Sequence, residues 1–140
     1  MTSFNALVRE NIEPLVIERG FSPIEVSENS LEYGLGDLHI KCFYYPREES
    51  SNLFFWRTGQ ATVMFGDDTL LDVFDSHVSL IGQTPEVFVM NLRTFLLNEG
   101  SSLLSGDPAV VGRLEEYSHQ QNLEYTRRIS SPRDPDGVKN

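Results

Sequence analysis

Apolar and polar positions alternate with a helical period at both ends of the chain and a period of two between them. Near the N-terminus, Phe4, Leu7, Val8, Ile12, Leu15 and Val16 recur at helical spacing behind Ser3, whose hydroxyl suits an N-cap. Gly20 ends the run as a residue just past a helix C-terminus does. Pro14 interrupts the pattern. It lacks an N–H and crowds the carbonyl four residues back, so a kink or break is predicted near residues 11–13.

From Phe21 onward the period shortens to two, and β-branched and aromatic residues stand between Gly, Asn, Asp and Ser. Strands are predicted at residues 24–27, 31–34, 38–45, 53–57, 61–65 and 78–81, with turns at 28–30, 34–37 and 66–68. Such short connections suit hairpins and an antiparallel meander, because a parallel crossover needs a dozen or more residues. In residues 38–45, Leu38, Ile40, Cys42 and Tyr44 share the face expected to meet the core, opposite His39, Lys41, Phe43 and Tyr45. Both alternations of 53–57 carry aromatics, Phe54 and Trp56 against Leu53 and Phe55, so that strand is either covered on both faces or exposed for binding. Residues 69–77 fit a strand or a helical turn equally.

The last third returns to helical spacing. Thr84 as N-cap, Pro85 at the first helical position and Glu86 open a helix whose Phe88, Leu92, Phe95 and Leu96 form one stripe, closed by Gly100. Asp107 and Pro108 repeat the device, with Val111, Leu114, Ser118, Gln121 and Tyr125 as the inner stripe. The predicted fold is α+β: an N-terminal helix, an antiparallel β-meander of about five strands, and two C-terminal helices packed on one face of the sheet. Residues 1–129 are expected to form a single domain, and 130–140, rich in Ser, Pro, Asp and Gly, a flexible C-terminal tail.

The 140 residues, 39% of them hydrophobic, suffice for a core without a disulfide or structural metal. Cys42 has no partner for a disulfide and falls on a core-facing position. No apolar run approaches the about 20 residues of a membrane span, and no signal or transit peptide is visible, so a cytoplasmic location is expected. Lys and Arg number 11 against 21 Asp and Glu, a net charge of -10. Arg133 and Lys139 balance Asp134 and Asp136, which leaves the whole excess on the domain. Such a field repels nucleic acid and anionic membrane and attracts basic protein partners.

Motifs for chemistry are missing. His39, His77 and His119 stand in different elements without the spacing of a metal site, so neither a metal nor another cofactor is expected. No G-x-S-x-G elbow occurs, and Gly34-Leu35-Gly36 lacks the third glycine and the Lys-Ser/Thr pair of a phosphate cradle. Acidic residues instead suggest a surface. Glu48 and Glu49 follow strand 38–45, and Asp67, Asp68, Asp72 and Asp75 form a run with no basic residue. With up-and-down hairpins, the turns holding Glu48-Glu49 and Asp67-Asp68 fall at one end of the sheet, where Trp56, Tyr44 or Tyr45 could anchor a partner. The alternative is a solubilising acidic face over a buried tryptophan.

A small acidic chain with an N-terminal helix ending in Arg19-Gly20-Phe21, a central meander and a helical pair joined through Leu103-Leu104-Ser105-Gly106-Asp107 resembles bacterial immunity proteins of polymorphic toxin and contact-dependent inhibition systems. That resemblance implies cytoplasmic protection by tight binding to one cognate toxin domain, often a basic nuclease. The sequence therefore leads to a non-catalytic, monomeric or homodimeric protein that binds a basic partner through Glu48, Glu49, Asp67, Asp68, Asp72 and Asp75, with Trp56 as an anchor. Two other readings remain open. One is a ligand-binding or hydrolytic domain with a pocket holding His39 or His77 beside a carboxylate of shifted pKa; the other is an acidic secretion or assembly chaperone with an exposed apolar groove.

Overall fold

Pro14 divides the first helical segment as its missing N–H requires. Helix α1 (Phe4–Asn11) stops at Ile12, and α2 (Glu13–Glu18) restarts with Pro14 in its first turn. Ser3 caps α1 by accepting from the Ala6 N–H at 3.1 Å. Five strands follow, β1 (Ser22–Ser27), β2 (Ser30–Leu35), β3 (Leu38–Tyr45), β4 (Ser50–Arg57) and β5 (Val63–Met64), then α3 (Asp67–Phe74), α4 (Pro85–Leu97), α5 (Ser101–Leu104) and α6 (Pro108–Ser130). This computed structural model describes residues 3–130, with side chains through residue 124. The expected tail beyond Ser130 and the Tyr125 side chain lie outside the described residues.

The sheet is an antiparallel meander in the order β1-β2-β3-β4-β5. Its register aligns Leu31, Cys42 and Leu53 in one row and Tyr33, Ile40, Phe55 and Val63 in the next, all of them buried. These rows form the inner face, where alternation puts every second residue. Phe4 of α1 lies between Tyr44 of β3 and Phe88 of α4, at centroid distances of 5.6 and 6.0 Å. Phe65, Phe74 and Phe95 meet edge to face where α3 and α4 converge. At the sheet's margin, all six residues of β1 are exposed, and its register breaks between Pro23 and Glu25.

The C-terminal caps form as the sequence leads one to expect. The Thr84 side chain accepts from the Val87 N–H at 3.3 Å, and Asp107 Oδ1 accepts from the Ala109 N–H at 3.0 Å. Helix α4 ends at Leu97, however, and Gly100 lies buried against Phe95 between α4 and α5.

Three expectations for the middle of the chain change. The predicted strand 61–65 pairs only at Val63 and Met64, and the predicted turn 66–68 is instead the start of α3, with Gly66 as its N-cap. Residues 69–77 are resolved in favour of helix as far as Phe74. Residues 78–81 form no strand. Leu80 alone of them is buried, and side chains hold the segment in place of a ladder, with Asn91 Nδ2 donating to the Ser79 carbonyl at 2.8 Å. The inner stripe of α6 also ends early: Val111 and Leu114 are buried, Ser118 is half-buried and Gln121 is exposed. At 1.5 Å per residue, the 23 residues of α6 outrun a sheet whose last strand has two.

Candidate functional site

Helix α3 presents the acidic run as one surface. Thr69, Leu70, Val73 and Phe74 are buried, and Asp67, Asp68, Asp72 and Asp75 are exposed. Asp67 and Asp68 occupy the first turn, where unpaired backbone N–H groups favour carboxylates. Asp67 Oδ1 also accepts from the Ser79 hydroxyl at 3.0 Å, which ties the 78–81 segment to this turn. Asp75 closes the helix in the left-handed region (φ 55°), which Asp enters more readily than most residues, and its N–H reaches the carbonyls of Leu70 and Leu71.

A groove runs between the β5 segment and α6. One end, of about 330 Å³, lies among Gln60, Ala61, Glu115, Glu116, His119 and Asn122. The middle, about 280 Å³, is walled by Met64, Thr69, Tyr117 and Gln121. The other end, about 370 Å³, opens beside Gly66, Asp67, Asp68 and Ile81. Neighbouring parts share walls, Val63, Ser118 and Asn122 on one side and Met64, Thr69, Tyr117 and Gln121 on the other, so the hollows adjoin in a row. Met64 (49% exposed) and Ile81 (38%) supply apolar surface beside these carboxylates. The Tyr117 hydroxyl is covered and lacks a hydrogen-bond partner of good geometry. Burial first, and the nearby Asp72 carboxylate second, push its pKa up to about 12, so it stays a neutral phenol.

Compensating cations are few. Arg57 grips Glu115 with both ends of its fork, at 2.6 and 3.1 Å. Arg113 donates to the Asp72 carbonyl at 3.4 Å. Between Arg57 and Arg93 the sequence holds no Lys or Arg, while it holds Asp67, Asp68, Asp72, Asp75 and Glu86.

The other expected contacts lie apart from α3. Glu48 and Glu49 are exposed in the β3–β4 turn, with Glu49 at φ 52°. Since β3 and β5 both run antiparallel to β4, that turn and the start of α3 lie toward the same end of the sheet. Trp56 does not adjoin them. It pairs with His39 near the opposite end of the sheet and on its outer face.

No protein-family model, curated protein or solved structure matches this chain. The chemistry available must therefore be read from its own side chains.

On the outer sheet face, His39 stacks on Trp56 with centroids 4.9 Å apart and planes within 2°. Its Nδ1 meets Glu32 Oε2 at 3.0 Å and its Nε2 meets the Thr58 hydroxyl at 2.9 Å. Carboxylate, imidazole and hydroxyl in that order form the chain used to activate nucleophiles. The Thr58 hydroxyl also lies 3.3 Å from the Asp37 carbonyl, a second acceptor for its proton besides His39. Lys41, Phe43, Tyr45 and Phe54 lie half-buried on the same face, with Lys41 Nζ 5.4 Å above the Phe43 ring. Glu32 (8% exposed) and Asn52 (9%) are buried on a face these side chains share.

His77 shares a hollow of about 130 Å³ with Asp67, Leu71 and Ser76. Among the described residues, no three His, Cys, Asp or Glu side chains are grouped to hold a metal ion, and no helix is long and apolar enough to cross a membrane. Cys42 is fully buried, and burial pushes its thiol up to about 12.

Sequence reasoning did not single out Met64, Ile81, Glu116 or Tyr117. Tyr117 carries a legible signal, since it stands three residues after the core residue Leu114 on the same side of a helix. Met64 and Ile81 carry none, because two isolated apolar residues in separate segments meet only through the fold.

Proposed function

We propose that this chain is a non-catalytic binding protein that engages a basic protein domain through the acidic surface of α3 and the groove beside it. The observation that carries the reading is the exposure of three aspartates on one eight-residue helix and a fourth, Asp75, at its C-cap, in a stretch from Thr58 to Leu92 without a Lys or Arg. An excess of charge of one sign raises the encounter rate with an oppositely charged partner and selects against polyanions. Neutralising a basic toxin domain, as the resemblance to immunity proteins implies, is the form of this activity that the reading favours.

The test is association with a basic domain of such a toxin, measured at low and high salt. Affinity should fall with added salt, and charge reversal of Asp68 and Asp72 to lysine should weaken it at least tenfold, with circular dichroism confirming the fold. Unchanged affinity in the double reversal overturns the role of α3. The Glu48→Lys, Glu49→Lys pair tests the β3–β4 turn in the same way.

A second reading, a hydrolytic site, draws on the Glu32–His39–Thr58 chain. It predicts that Thr58→Ala abolishes hydrolysis of an activated ester such as p-nitrophenyl acetate. Equal rates in the variant and the parent exclude it.

A further inference from the structure

We infer that the groove between β5 and α6 receives an extended segment of the partner, carrying one apolar side chain between two cationic ones. This rests on the binding reading above and deepens it by naming what occupies the groove. Three observations converge.

The first is shape. The groove follows the chain from Gln60 to Gly66, six steps that span at most about 20 Å when extended. A hollow along such a stretch can seat a strand-like segment of up to about six residues. The second is the distribution of polarity. Met64 and Ile81 stand exposed toward the middle and one end, a surface that a single aliphatic side chain would cover.

The third is charge at both ends. Glu115 is already matched by Arg57, but Glu116 at one end and Asp68 at the other form no ion pair among the described residues. A segment with a cation at each end and an aliphatic residue between them meets all three features, whereas a uniformly apolar segment leaves the carboxylates unpaired and an acidic one is repelled by them. Extended peptides recognised in grooves are selected by alternate side chains in this way.

The test uses the full chain and two synthetic hexapeptides, one Arg-Gly-Leu-Gly-Arg-Gly and the other with both arginines replaced by glutamate. Backbone amide shifts are followed by NMR during titration. The arginine peptide should produce saturable shifts concentrated at Met64, Ile81, Tyr117 and Gln121, and the glutamate peptide none. Reversal of Asp68 and Glu116 to lysine, both exposed and outside the core, should weaken the arginine peptide at least tenfold. Shifts confined to Asp72, Asp75 or the outer sheet face would overturn the groove assignment and leave acidic-surface binding standing. An absence of saturable shifts anywhere would overturn the groove assignment too, while binding of the whole basic domain would still be judged by its own salt dependence.

Discussion

Gly100→Ala would place a Cβ 2.6 Å from Cζ and 2.7 Å from Cδ2 of Phe95, where unstrained carbon contacts begin near about 3.5 Å. Backbone geometry is not the obstacle, because Gly100 sits at φ -90° and ψ 5°, which alanine can adopt. The ring is the obstacle. Phe95 is fully buried, 5.0 Å from Phe74 and 6.1 Å from Phe65 in edge-to-face contacts, so moving it by about 1 Å disturbs the whole aromatic cluster. Overpacking of this kind costs about 1–3 kcal/mol, against which the stiffer unfolded chain returns about 0.4–1 kcal/mol. The net expectation is a loss of about 1–2 kcal/mol, or roughly 3–8 °C in Tm for a domain of this size. Urea and thermal unfolding would measure it, with Gly112→Ala as the control. Gly112 lies in α6 with no atom near the added methyl, so that variant should gain about 0.5–1 kcal/mol from helix propensity. Phe95→Leu should cost less in the Gly100→Ala background than alone, because the smaller side chain makes room for the methyl. A Gly100→Ala protein as stable as the parent, or strict additivity of the two changes, would refute the steric account.

Three further expectations concern other parts of the molecule. The Cys42 thiol, with its pKa raised by burial from the ordinary 9.0 to about 12, should resist Ellman's reagent at pH 8 until the chain is unfolded. Because the unfolded thiol ionises first, its contribution is intact below pH 9 and is lost at up to about 1.4 kcal/mol per pH unit between about 9 and 12. Cys42→Val should flatten that decline, leaving the parts due to Tyr117 and to Tyr33, whose hydroxyl is raised by burial and by its 2.7 Å hydrogen bond to Glu13. A double-mutant cycle on Arg57 and Glu115 should give a coupling of about 1 kcal/mol that shrinks with salt, since the Arg57 side chain is 42% exposed; a coupling above about 3 kcal/mol would mean a dry interaction instead. Thr84→Ala should lower stability by about 1 kcal/mol in urea unfolding through loss of the α4 cap.

Local signals were legible where one residue type answers one backbone need. Ser3, Pro14, Thr84 with Pro85, and Asp107 with Pro108 each mark a helix end that the fold contains. The alternation through Leu38, Ile40 and Cys42 correctly identified the inner face of β3. Misreading began where tertiary contacts replace ladder hydrogen bonds. Val78 and Leu80 have the spacing of a strand, yet Leu80 alone is fully buried, with Val78 half-buried against the core, and among the described residues no strand pairs with the segment. Gly66 followed by Asp67 and Asp68 has the composition of a turn, although a glycine N-cap before two acidic residues is also a helix start. The aspartates are thus legible as a surface, whereas a turn is the wrong element for Asp67 and Asp68, and the spacing of residues 69–77 leaves that of Asp72 and Asp75 open between strand and helix. The groove was beyond reach from the sequence, since its walls come from residues about fifty positions apart.

β1 bears on how the chain behaves in a crowd. Ile24 and Val26 are 54% and 48% exposed on a margin that no other strand of the sheet covers, an arrangement that invites a second chain to add on. Pro23 offers no N–H, and the register breaks at the next step, so an incoming strand meets only short stretches of regular edge before its alignment fails. Solubility at this margin is a property of backbone geometry and would survive neutralisation of the acidic surface. A substitution that restored a regular strand at residues 23–25 would expose a continuous template, and fibre formation would then follow concentration rather than charge.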